Sequence, residues 1–315
     1  MKLTTPIILT SESNQIDYTS KVLLLGSCFT ENIGGKLDYF KFQNVQNPFG
    51  IVFQPTAIEV LVSRALDEQV FTEKDIFYHN EQWHCFEVHS LVSRPDKDEY
   101  LSVLNTQLNL LRDYLLSATH IVFTYGTAWA YRHRKTNTLV ANCHKVPQEH
   151  FAKELLSVEA ISDGIRKTVS RIQAVNADVI IIGTISPVRH LKDGFVENMR
   201  GKAHLISAIH LAMETHATMR YFPSYELVMD ELRDYRFYAE DLLHPNNTAI
   251  AMIWERFKTV WIASETEAVQ KEIDAIQKGL AHRPFYLEST AYREFQHTLQ
   301  QKIVALQKEI PHLKF

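Results

Sequence analysis

Short, nearly continuous apolar runs recur along the chain: Lys21-Val-Leu-Leu-Leu-Gly26, His120-Ile-Val-Phe-Thr-Tyr125, Asp178-Val-Ile-Ile-Ile-Gly183 and the briefer Arg220–Phe222. Each has the pattern of a strand buried on both faces. Between them the period changes. Tyr100, Leu101, Leu104, Leu108, Leu111 and Leu115 trace one helical stripe, and Val158, Ile161, Ile165, Val169 and Ile172 trace another. Further helices are expected over residues 31–40, 56–66, 202–216 and 248–263, with Pro55 opening the second of these. Strands alternating with helices predict an α/β domain with a parallel sheet covered on both faces and joined by right-handed crossovers. In such sheets, sites form beyond the strand ends. Gly26-Ser27, Gly126-Thr127 and Ser186-Pro187 therefore fall on one candidate edge.

Two regions depart from this alternation. Over residues 71–95, Phe71, Ile76, Phe77, Tyr78, Trp83, Phe86 and Val88 are interleaved with polar residues, and Asn80-Glu81 is placed to turn a hairpin. A small β insertion over the main sheet is expected there. With loop 129–147 it would shape a pocket. From Ser264 the composition shifts again. Ser264 and Glu267 have capping-box spacing, and Val269, Ile273, Ile276 and Leu280 form a stripe. After Pro284, Tyr292, Phe295, Leu299, Ile303 and Leu306 form a second one. This predicts an α-hairpin over 264–315 appended to an α/β domain over 1–263. Packing back on that domain and self-association as a homo-oligomer are both open to it.

Composition narrows the class. The chain has 315 residues, 45% of them hydrophobic, ample for one large core. A net charge of -4 supplies no basic field for nucleic acid. No apolar stretch reaches the roughly 18 residues of a membrane span. The first ten residues are too polar for a signal peptide, and Cys28, Cys85 and Cys143 form no paired framework. A reduced, cytoplasmic protein is the expectation.

The chemistry gathers at the two ends of this pattern. Ser27 follows the first strand at a turn into a helix, next to N–H groups able to steady an anionic oxygen. Alone, it would as readily be a helix cap. Asp241-Leu-Leu-His244 lies just ahead of the last helix of the domain. Asp241 can hold one imidazole nitrogen while the other faces a serine, which gives the three side chains of a serine hydrolase. With 15 histidines, such a pair also arises by chance. Arg132, Arg134, Lys135, Lys145, Arg189, Arg200 and Lys202 fall in or near candidate loops, where solvated charge is the common role. Arg189-His190, directly after a strand end, is the best placed to hold an anionic group. No His or Cys set has convincing metal-ligand spacing, so no metal is expected.

Several segments resemble a known family. Gly26-Ser-Cys-Phe-Thr30 is similar to the signature that names the GSCFA family, with Thr30 in place of the final Ala. Asn47-Pro-Phe-Gly50, Tyr125-Gly-Thr-Ala-Trp129, Asn142-Cys-His-Lys145, Ser186-Pro-Val-Arg-His190, Tyr221-Phe-Pro-Ser-Tyr-Glu226 and Leu232-Arg-Asp-Tyr-Arg-Phe-Tyr238 resemble its further blocks, in order. The resemblance covers roughly residues 20–260 and implies membership of the SGNH (GDSL-like) hydrolases, with a three-layer α/β/α fold and a flavodoxin-like sheet.

It also implies roles. Ser27 would be the nucleophile, His244 the base and Asp241 its orienter. Gly50 and Gly126 match the glycines of the second and third blocks, and the backbone N–H groups of Ser27 and Gly50 would hold the oxyanion. Where SGNH enzymes carry Asn two residues after the third-block glycine, this chain has Ala128. Thr127 or Asn142 would have to replace that donor. His144, beside Asn142, and Arg189-His190 are candidates for binding substrate. The implied activity is a cofactor-independent esterase acting on a carbohydrate or another small O-acyl ester. Acyl transfer by the same residues, a non-catalytic binding module and a scaffold built on the terminal hairpin are the alternatives.

Overall fold

The computed structural model describes residues 5–315. The first four residues, part of the stretch read above for a leader, lie outside the described residues. The chain opens with β1 (Lys21–Gly26), α1 (Cys28–Tyr39), β2 (Gln43–Gln46) and α2 (Pro55–Leu66). A hairpin of β3 (Phe77–His79) and β4 (Gln82–His84) precedes α3 (Lys97–Ser117) and β5 (His120–Tyr125). Then come β6 (Trp129–His133), β7 (Thr138–Val140) and β8 (Phe151–Leu155), followed by α4 (Val158–Val175) and β9 (Ile180–Ile185). After α5 (Phe195–Met213) and β10 (Met219–Tyr221), the short α6 (Ser224–Glu226) runs into a π-helical turn. The chain closes with α7 (Asn247–Trp261), α8 (Glu267–Ala281) and α9 (Thr290–Glu309).

The central sheet has five parallel strands in the order β10-β9-β5-β1-β2. Numbered among themselves, these strands run 2-1-3-4-5, the flavodoxin-like doubly wound order. Period-2 alternation divides the apolar runs between two cores. Leu23, Leu25, Ile121, Phe123 and Ile181 pack with α2, α3, α4 and α5. Val22, Leu24, Val122 and Ile182 pack with α1 and α7. The result is the expected three-layer α/β/α arrangement. Strand order reverses between β1 and β5, so the crevice at their carboxyl ends is the topological switch point, where ligands bind in such sheets.

The hairpin forms where expected, with Asn80 and Glu81 both at positive φ, as a two-residue turn of matching twist requires. A second antiparallel sheet, β7-β6-β8, is an element that the apolar pattern does not announce. The same holds for β2: Gln43-Asn-Val-Gln46 is polar and half-buried, and is a strand only because β1 offers it a ladder. Helix α5 begins at Phe195, seven residues earlier than expected, because Gly194 starts it at φ 85 with no side-chain cap to mark the boundary. The expected Ser264 capping box is absent. Ser264–Thr266 forms a 3₁₀ turn and α8 starts at Glu267 without a side-chain cap.

The terminal helices pack back on the domain. Ile273, Ile276, Ile303 and Leu306 are buried in the same cluster as Trp254 and Phe257 of α7. Tyr39 at the end of α1 donates its hydroxyl to Asp274 at 2.8 Å, and Gln277 donates to the Tyr39 carbonyl at 3.1 Å. No helix among the described residues is long and apolar enough to cross a membrane.

Gly26 is the tightest point of the sheet. Its φ is +149°, and a Cβ built on it would lie 2.3 Å from the Thr124 carbonyl oxygen. Gly26→Ala is expected to lower stability by more than about 2 kcal/mol, read as a shift in the urea midpoint. An unchanged midpoint would show that β1 and β5 separate at little cost.

Candidate active site

Ser27 occupies the N-cap of α1 in extended backbone (φ -70°, ψ 173°), and its Oγ accepts the Phe29 N–H at 3.2 Å. That bond anchors the oxygen while leaving its own proton to be donated. The residue is 3% exposed and continues the ladder beyond β1, donating its N–H to the Thr124 carbonyl at 3.0 Å. The cap role considered for Ser27 is the one its geometry fills, and the residue is buried rather than exposed at the sheet edge. Cys28 follows as the first residue of the helix, and burial pushes its thiol pKa up.

The Asp241–His244 pair is assembled. His244 Nδ1 and Asp241 Oδ2 are 2.6 Å apart, and Asp241 Oδ1 accepts the N–H groups of Leu243 at 2.9 Å and His244 at 3.0 Å. Those backbone donors, together with the imidazole, hold the carboxyl pKa down at about 2. An ionised Asp241 on Nδ1 makes that nitrogen the protonated one and turns the Nε2 lone pair outward. The side chain of His244 is 46% exposed, so it has room to swing. Among the described residues Ser27 Oγ and His244 make no hydrogen bond with each other.

The loop carrying this pair is braced at two points. Asn246 caps α7 and donates to the carbonyls of Arg236 and Tyr238. Arg189, after β9, donates to the Tyr238 hydroxyl at 3.0 Å and to the Leu242 carbonyl at 3.4 Å, with its guanidinium over the Tyr238 ring. Leu242 sits at φ 57°, an unfavourable region for a branched side chain. One Arg189 donor thus reaches the strained turn between Asp241 and His244, and another holds Tyr238 ahead of it. His190 beside it packs on Phe53 and donates its N–H to Asn198 Oδ1. Burial, with Lys202 nearby, lowers its pKa to about 4.

Lys202 is a residue the sequence reading misplaced. It lies within α5, not in a solvated loop, and is 1% exposed. Its Nζ donates to the carbonyls of Gly126 and Ser186, both at 2.6 Å, so one ammonium joins the ends of β5 and β9. Burial lowers its pKa to about 7. The helical stripe of α5 contains no signal for this, since a lysine on an apolar face resembles one that reaches solvent.

The expected oxyanion donors are otherwise engaged. The Gly50 N–H closes the Asn47–Gly50 turn on the Asn47 carbonyl at 2.8 Å, the Ser27 N–H is in the ladder, and the Gly126 N–H bonds Phe53 O at 2.8 Å. Gly50 itself is required by φ +73° and by His89, whose Cβ would lie 2.7 Å from a Cβ there. Thr127 Oγ1 accepts the Trp129 N–H, and Ala128 is fully buried. Asn142 and His144 sit with the insertion. Asn142 Oδ1 caps the His144 N–H, and His144 Nε2 bonds the Cys85 carbonyl at 2.7 Å. His144 packs against His84, Phe77 and Phe86, and burial lowers its pKa to about 4. Among the described residues no group of three or more His, Cys, Asp or Glu side chains is placed to hold a metal ion.

The family profile described as GSCFA family matches residues 21–257, and the one described as GSCFA domain protein, C-terminal domain matches residues 273–315. The chain belongs to the GSCFA family. A comparison with curated proteins gives no match.

His144 and His190 both fold as neutral imidazoles. Between pH 4 and the ordinary value of 6.5 the unfolded chain binds protons that the folded chain does not, so stability rises with pH and is lost on acidification. His144→Gln keeps a donor for Cys85 without titrating. It is expected to remove about 1–3 kcal/mol of the acid loss in urea titrations between pH 6.5 and 4. An unaltered slope would show that His144 is protonated in the native state.

Proposed function

We propose that the chain is a serine hydrolase of SGNH type that cleaves an O-acyl ester of a carbohydrate or another small molecule. The observation that carries this reading is the 2.6 Å Asp241–His244 contact, on a loop that Arg189 ties to the strand edge bearing Ser27. In this mechanism Ser27 Oγ attacks the acyl carbon as His244 Nε2 takes its proton. The carbonyl electron pair moves to oxygen. Collapse of the tetrahedral species expels the alcohol, which takes the proton back from His244. Water repeats the sequence on the acyl-enzyme. Asp241 holds the imidazole in the right tautomer and steadies the imidazolium. No cofactor enters the reaction, and the odd cysteine count supports a reducing, cytoplasmic setting.

A binding module on the same fold is the second reading. Ala128 and the engaged N–H groups of Ser27 and Gly50 favour it, because they remove donors that a hydrolase uses.

A fluorophosphonate probe separates the two. Wild type is expected to be labelled, Ser27→Ala not at all, and His244→Ala at least roughly 10³-fold more slowly. Mass spectrometry of the peptide carrying residue 27 reads the adduct. Labelling of Ser27→Ala at the wild-type rate would remove Ser27 as nucleophile, and an inert wild type would favour the binding module.

A further inference from the structure

Asn47 holds a hydrogen-bond donor with nothing to donate to. Its Oδ1 accepts the Gly26 N–H at 2.9 Å, and since a backbone N–H only donates, the amide orientation is fixed and Nδ2 lies on the other side. Nδ2 is buried and has no partner, in a residue that is 9% exposed. The rest of Asn47 is pinned. Its N–H donates to the Leu24 carbonyl at 2.9 Å, its carbonyl accepts the Gly50 N–H at 2.8 Å, and its backbone is left-handed at φ 42°, a region asparagine tolerates. A buried, orphaned donor costs about 1–3 kcal/mol. Held rigid one residue from the serine turn, it is the arrangement expected when a ligand atom supplies the acceptor.

We propose that the Asn47 side-chain amide is the oxyanion donor of this site, standing in for the third-block asparagine that Ala128 replaces. The inference rests on the reading of Ser27 as nucleophile. When Ser27 Oγ bonds to the acyl carbon and the carbonyl pair moves onto oxygen, Asn47 Nδ2–H donates to that oxygen. The Cys28 N–H, first of α1 and without an intrahelical acceptor, donates from the same turn. Asn47 gives up no proton and forms no bond. It contributes only where negative charge develops, so its loss falls on kcat and spares KM.

Asn47→Asp tests this directly, because it keeps an oxygen for the Gly26 N–H and removes the donor. The second-order rate of fluorophosphonate labelling and the kcat for a short aryl ester are expected to fall 10²- to 10³-fold, with KM nearly unchanged. A folded Asn47→Asp that labels at the wild-type rate overturns the proposal while leaving Ser27 as nucleophile. A wild type that does not label at Ser27 overturns the hydrolase reading and this proposal with it. Should Asn47→Asp unfold, wild type decides the matter: the ¹⁵N-resolved Asn47 side-chain N–H signal is expected to move downfield and exchange more slowly in the Ser27 phosphonate adduct. An unmoved signal rejects the proposal.

Discussion

Everything at the serine edge depends on the close parallel approach of β1 and β5. Only a residue without a Cβ lets these strands meet at Gly26, and the ladder then runs one step past the strand to carry Ser27. That extra step fixes the serine backbone against Thr124. It also has a chemical consequence. The N–H most often used to stabilise charge beside a nucleophile is here part of the sheet. A site built on this edge must find its donors elsewhere, and the first turn of α1 and the Asn47 side chain, whose amide already holds the Gly26 N–H, are two that adjoin it.

Charge is organised around the same edge without a nearby carboxylate for Lys202. Two strand-end carbonyls solvate its ammonium, each a fixed dipole that replaces water. His190, neutral and packed on Phe53, lines the approach. Asp241 is one of several carboxylates near this edge, with Asp193 beside His190 and Glu31 beside Cys28, and backbone donors keep Asp241 ionised well into acid. The edge thus brings together a buried amine, Lys202, and an exposed acid, Asp241, with the imidazole of His244 bonded to the acid.

How much of this was legible beforehand depends on whether a residue's role is local. The apolar runs of β1, β5 and β9 could be read because burial on both faces leaves no alternative composition. Asp241-Leu-Leu-His244 could be read because the spacing alone permits the contact. Gln43–Gln46 could not, since its strand character comes wholly from its neighbour. Lys202 could not, because what distinguishes it is the pair of carbonyls delivered by two distant strands. Asn47 could not, since in the sequence it is only the first residue of the Asn47-Pro-Phe-Gly50 segment. Only its three engaged polar groups, and the one left over, separate it from any other Asn-Pro turn. The Gly50 N–H, expected as an oxyanion donor, instead closes its own loop.

The terminal helices are tied to the helix that Ser27 caps. Helix α1, 12 residues and about 18 Å long, carries Ser27 at one end and Tyr39 at the other. Tyr39 is gripped by Asp274 and Gln277 of α8. The C-terminal pair thus grips the far end of the helix that Ser27 caps, so that a tilt of α8 would be felt along α1.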